Sequence, residues 1–301
     1  MKFSHSFFYN AAYILLLGAG FPLLRYMSQQ FDANNNNMVR FFAGSAVLFA
    51  YGLWKYRSQY RLVLKSKKLS VKVLALGSLM ATNMYLFIQG LSVTNAVTGS
   101  IFSIIAMPLA IGLAAFFYTD ERERVKQPRF YVGSLIAIFG SLCFVLQKNG
   151  GTQLNPSFLW GTLFLFLAIT IQGIQSLIIK SMNNQVNAVV ISTFTALLAA
   201  LFNLFISIST HKITQLSAVS EGLLIGLVLT GIYGIVTGMF MSFHIVQKQG
   251  IVTYNLLQLV VPFSATAFAY LWLNETIGVW QIVSGILIIF GCLLALKTNS
   301  R

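Results

Sequence analysis

General acid–base or nucleophilic catalysis needs ionisable groups brought together, and this sequence keeps them apart. Its histidines, His5, His211 and His244, are scattered, and no H-x-x-x-H, P-loop or Gly-x-Ser-x-Gly pattern occurs. The acidic cluster Asp120-Glu121-Arg122-Glu123 alternates with arginine and reads as a solvated turn. Cys143 and Cys292 sit in apolar runs and read as small packing residues, so no disulfide or metal site is indicated. The expectation is no enzyme, no metal and no other cofactor.

Groups suited to holding a small molecule are neutral and lie inside apolar stretches. Tyr13, Asn83, Gln172, Gln175, Tyr233, Thr237, Asn255 and Gln258 carry amides or hydroxyls that need partners away from water. Each singly also fits helix–helix hydrogen bonding; as a set they are the candidate substrate contacts. Asn83 and Thr237 are separated by 154 residues, an offset that recurs below. His244 reads as an interfacial anchor.

The elements that must position these groups are membrane helices. Hydrophobic residues make up 57% of the 301-residue chain and charged residues 9%, whereas a soluble domain carries about 25% charged. That excludes an ordinary cytosolic enzyme, a disordered chain and a disulfide scaffold. No Asp, Glu, Lys or Arg occurs in 3–24, 73–119, 130–147, 149–179, 181–211, 222–247, 249–274 or 276–296. A bilayer core of roughly 30 Å asks for about 20 apolar residues per helix. Ten spans are expected, at 7–24, 38–54, 72–91, 96–118, 130–146, 157–178, 187–209, 221–246, 251–273 and 277–296. Open strands cannot cross lipid, and no run alternates as a barrel strand does. The first span lacks a small-residue cleavage site and is expected to be retained.

Sixteen Lys and Arg fall in loops on the side of the termini and three on the other, with Arg40 just inside the second helix. The positive-inside rule then puts both termini in the cytoplasm, in a multi-pass protein of the cell membrane. The net charge of +14 becomes an orientation signal and an attraction to anionic headgroups on the cytoplasmic side. Nucleic acid is not an expected partner. Oligomeric state is not legible in the chain.

Pro108 and Glu121 stand 13 residues apart, as do Pro262 and Glu275, and the two pairs are offset by 154. A glycine-bearing helix follows each, Gly133 to Gly140 and Gly285 to Gly291. The chain therefore reads as two copies, 1–148 and 149–301, within one membrane body. Each copy has five helices, so the second enters the membrane inverted, as in many secondary transporters. The chain resembles the drug/metabolite transporter superfamily, specifically EamA-type carriers, over nearly its whole length. Gly18 to Pro22, Arg40-Phe41, Pro108 with Glu121, Pro262, Leu273-Asn274-Glu275-Thr276 and the Gly285/Gly291 helix carry the resemblance. Two departures are Leu17, where a Trp is usual, and the highly charged 120–123 turn. The resemblance implies ten helices in a five-plus-five arrangement around a central cavity, and transport of a small organic molecule.

On that frame the charged residues acquire roles. Arg40 is either a snorkelling anchor at the headgroups or the partner of Glu275 on the outer side. Glu121 with Lys180 would be the inner counterpart, the two pairs forming rims of alternating gates. Pro108 and Pro262 should bend their helices, as static kinks or as hinges. The glycines of helix eight, Gly222 to Gly238, suit close packing within the monomer. No carboxylate lies well inside a span and no cation at mid-depth. A neutral or zwitterionic metabolite, with amino-acid efflux as the specific case, is favoured over an organic cation or drug, a sugar phosphate or nucleotide, or a channel or scaffold role. Direction and energy coupling are left open.

Overall fold

The computed structural model describes residues 5–100, 102, 112–113, 126–147, 156–182, 185–275 and 278–296. Its long helices are α1 (His5–Gln30), α2 (Ala33–Lys55), α4 (Lys67–Val93), α5 (Pro128–Gln147), α6 (Pro156–Ser181) and α7 (Ala188–Ser209), with a short α3 (Arg57–Lys65). Then come α8 (Glu221–Gly234), a π-helical segment (Ile235–Met241), α9 (Ser242–Gln258), α10 (Val261–Leu273) and α11 (Val279–Leu296). Among the described residues a helix lies on every expected span except the fourth, which opens at Ala96 and passes out of the described part. Pro108 and Glu121 lie there, outside the described residues. Six of the described helices are long and apolar enough to cross a membrane.

Local chemistry sets the helix ends. Asp32 caps α2, its Oδ1 accepting from the Asn34 amide at 3.0 Å, and Asn187 caps α7 in the same way at 3.0 Å. His211 and Asn274 take left-handed backbone at φ 56 and φ 50 and stop the helices before them. The Asp32 cap starts α2 five residues ahead of the expected 38, so Asn34, Asn35, Asn36 and Asn37 are helical and buried rather than in a loop.

Three further details differ from the sequence reading. The basic stretch expected as loop 55–72 contains α3, whose Tyr60 and Val63 are buried. Tyr60 donates to Thr193 Oγ1 at 3.0 Å, which pins α3 onto α7, and burial pushes its phenol above the ordinary tyrosine range. The eighth span contains the π segment and ends at Gly250, whose φ of 86 and ψ of 166 break the helical path. Pro262 does not bend a continuous helix: the chain turns at Leu259 and Val260, and the proline sits in the first turn of α10. There its missing N–H leaves no helical bond unmade.

Among the described residues the dominant packing pairs join one half of the chain to the other: α5 with α11, α2 with α7 and α8, α4 with α6 and α7, and α1 with α10. Under the 154-residue repeat, α5–α11 and α2–α7 are each their own mate, and α2–α8 is the mate of α4–α7. Small residues permit the crossings. Gly133 lies against the Gly291 carbonyl and Gly291 against the Gly133 carbonyl, so each helix fills the notch of the other. Gly18 lies against Ser264, whose Oγ donates to the Ile14 carbonyl at 2.9 Å. The outward faces are apolar, with Phe205 71%, Leu271 68% and Trp280 67% exposed, as a lipid-facing surface requires.

Candidate functional site

Where α1, α2, α4, α6, the α8–π–α9 span and the segment before α10 converge, they enclose a cavity of about 110 Å³. Both halves of the chain line it. Leu17, Phe21, Leu24, Met84 and Phe87 make its walls mostly apolar, with polar groups from Arg40, Asn83, Gln172, Thr230, Tyr233, Thr237, Ser242, Tyr254 and Gln258. The π segment widens the helix there, so Ile235, Thr237, Gly238 and Met239 all reach the cavity wall.

Five of the eight expected contacts line this cavity: Asn83, Gln172, Tyr233, Thr237 and Gln258. Several of their polar atoms are already committed. Asn83 donates to the Ala168 carbonyl and Tyr233 to the Leu16 carbonyl, while Thr237 Oγ1 donates to the Tyr233 carbonyl at 2.8 Å. Gln175 lies in an adjoining space of about 50 Å³, and its Nε2 is buried without a hydrogen-bond partner. Tyr13 is fully buried behind the wall, its hydroxyl 3.0 Å from Ser242 Oγ and its ring 6.4 Å from that of Tyr254. The Asn255 side chain lies outside the described part.

Tyr254 joins the polar wall together and the sequence reading overlooked it. Its hydroxyl accepts from Gln172 Nε2 at 2.9 Å and from Gln258 Nε2 at 2.7 Å. With both amide nitrogens held, the Gln258 Oε1 is left buried and unpaired beside the cavity. Spacing was the available signal, because Tyr254 and Gln258 are four residues apart and share a helix face.

Arg40 is a correction to the snorkelling reading. It lies seven residues into α2, about 10 Å along the axis, is 3% exposed, and lines the cavity. Its Nη1 donates to Asn36 Oδ1 at 3.2 Å. Its Nη2 lies by Gly234, where an added Cβ would stand 3.1 Å away, and its Nε has no partner. Nor does it meet Glu275. That carboxylate accepts from the Ala96 amide at 3.4 Å and lies within electrostatic range of Arg25, which donates to the Leu91 carbonyl. By the repeat in the sequence, Arg25 and Lys180 are counterparts, as are Glu275 and Glu121, and Glu121 lies outside the described residues.

Polar contacts join helices at both ends of the bundle. At the end where α1 begins, Asn10 and Gln249 exchange two amide hydrogen bonds of 3.0 Å each, and Lys72 donates to Ser181 Oγ at 2.8 Å. At the opposite end Lys212 pairs with Asp32 at 2.6 Å, and Asn35 donates to the Lys212 carbonyl at 2.7 Å. The hydrogen bond and charge of Asp32 hold the Lys212 ammonium above the ordinary lysine range. Among the described residues no cluster of His, Cys, Asp or Glu could hold a metal. The glycine face of helix eight packs inside the molecule, Gly231 against the Arg40 backbone and Gly226 against Met27.

Comparison with known proteins agrees with this architecture. A model of the EamA-like transporter family matches twice, over residues 7–146 and 159–297. The chain is 46% identical over 293 residues to an uncharacterized transporter of Haemophilus influenzae, covering 96% of each. It is 27% identical over 301 residues to a WAT1-related protein of Arabidopsis thaliana, covering 90% of this chain and 80% of that one. A solved crystal structure shares the fold with a TM-score of 0.67 at 19% identity, covering 96% of this chain and 95% of the other.

Proposed function

This chain belongs to the EamA-like transporter family, and on that premise we propose that it carries a small neutral or zwitterionic organic metabolite by alternating access, with amino-acid efflux as the specific case. It is a multi-pass membrane transporter of a small molecule and not an enzyme. The observation that carries the finer reading is the cavity itself. It is built between the two halves, lined by both, mostly apolar, and furnished with buried amides and hydroxyls. Such a chamber suits a small solute with an apolar body and a few hydrogen-bonding groups. Among its described lining residues there is no carboxylate to neutralise an organic cation, and a single cation is too little for a sugar phosphate or nucleotide.

Two structural copies of opposite orientation give a carrier two states of similar energy. In this reading the ends of the bundle open in turn, and the charged rims Arg25–Glu275 and Glu121–Lys180 close in turn. Gly250 and the turn before Pro262 are the hinges about which residues 251–258 rock. The excess of Lys and Arg in loops on the side of the termini supports a reading with both termini in the cytoplasm and anionic headgroups beside α3. Counterflow in proteoliposomes tests the proposal: preloading with an amino-acid mixture should accelerate uptake of a labelled member. Absence of trans-stimulation by any solute would sink the carrier reading. A Glu275→Lys variant that inserts and transports at the normal rate would sink the rim assignment alone.

A further inference from the structure

A charged side chain buried in a membrane protein without a counter-charge is costly, and it is kept where a function needs it. Arg40 is such a group. It is 3% exposed and faces the cavity, its hydrogen bond is to the neutral amide of Asn36, and its Nε is unpaired. Among the described residues no carboxylate neutralises it: Asp32 is bonded to Lys212, and Glu275 holds the Ala96 amide. One turn away, Asn36 Nδ2 is a second buried donor without a partner. The fold also makes room for the arginine, since Gly234 of α8 presents no side chain against its Nη2 and Gly231 none against its backbone.

We propose that Arg40, held by Asn36, is the subsite that binds the carboxylate of the transported molecule. This rests on the carrier reading above and narrows its substrate class to the zwitterionic metabolites, which bear a carboxylate. A guanidinium presents a planar fork of donors that matches a carboxylate's two oxygens. A single such fork supplies one positive charge, which suits a monocarboxylate. Leu17, Phe21, Met84 and Phe87 surround the body of the molecule, and the unpaired Gln258 Oε1 accepts from its amino or hydroxyl group.

Matched pairs of acid and amide test the subsite by thermal stabilisation of the purified chain. Leucine is set against leucinamide, and 4-methylpentanoate against 4-methylpentanamide. The wild-type protein should bind the acids about 10- to 100-fold more tightly than the amides, the range that a charged hydrogen bond supplies. Arg40→Gln should abolish this preference and Arg40→Lys should retain part of it. Equal stabilisation by acid and amide, stabilisation by neither acid, or a preference that survives Arg40→Gln overturns the subsite. The wild-type comparison decides the matter even where the variant fails to fold. Trans-stimulated exchange of the amides, unchanged in Arg40→Gln, would leave the carrier standing and the subsite refuted. Lack of exchange with every solute would strike the carrier reading instead.

Discussion

Substituting Gly133 by alanine probes the contact on which the two halves meet. An added Cβ would stand 2.5 Å from the backbone nitrogen of Ala295 and 3.0 Å from its Cα, against the Gly291 carbonyl. Carbon atoms settle at about 3.5–4.0 Å, and backbone cannot swing aside as a side-chain tip can. Helices α5 and α11 must therefore part by about 1 Å, at an overpacking cost of about 1–3 kcal/mol. Alanine recovers up to about 1 kcal/mol through its greater helix propensity. Gly222→Ala supplies the control, because its Cβ meets nothing within 4 Å. Relative to that control, Gly133→Ala should lower stability by about 1–3 kcal/mol in equilibrium unfolding from mixed micelles. Gly291→Ala should do the same, since its Cβ falls 2.6 Å from both the Ala137 nitrogen and the Gly133 carbonyl oxygen. Once one substitution has parted the helices the second meets less resistance, so the double variant should cost less than the sum. Stability of Gly133→Ala equal to that of Gly222→Ala, or full additivity in the double variant, would refute the reciprocal crossing.

Tyr254→Phe removes the acceptor shared by Gln172 and Gln258; each orphaned amide should cost about 1–3 kcal/mol in the same unfolding assay, and transport KM should rise because the polar wall loses its geometry. Asp32→Asn keeps an oxygen for the α2 cap but removes the charge facing Lys212, and should cost under about 1 kcal/mol, less in high salt. Asp32→Ala should cost about 1 kcal/mol more by losing the cap as well. Because Asp32 raises the Lys212 pKa, the pair's contribution is fully present below the ordinary lysine pKa of about 10.4 and is lost as pH rises through the raised value. The stability difference between wild type and Asp32→Asn should therefore be steady from neutral pH upward and shrink only beyond that point. Tyr60→Phe should cost about 1 kcal/mol by freeing Thr193 from its bond with α3.

Hydropathy and spacing alone determined the membrane class, the long apolar helices, the two-copy organisation and five of the polar groups of the cavity wall. These are local or periodic properties: an apolar run of sufficient length must be helical in lipid, and a polar atom within it must find a partner or a cavity. Asn83, Gln172, Tyr233, Thr237 and Gln258 were legible for that reason. Only tertiary structure could decide which buried polar groups are satisfied. Tyr13 and Tyr254 look alike along the chain, yet one packs behind the wall and the other joins two glutamines across the site. Arg40 reads as an interfacial anchor until Asp32 is seen to start α2 early and carry the guanidinium inside. Glu275 passes from Arg40 to the neighbourhood of Arg25 because helix packing, not distance along the chain, sets which charges approach. Burial and pairing depend on contacts between residues far apart along the chain, such as Gln172 with Tyr254 and Ala96 with Glu275, and such contacts leave no mark on hydropathy.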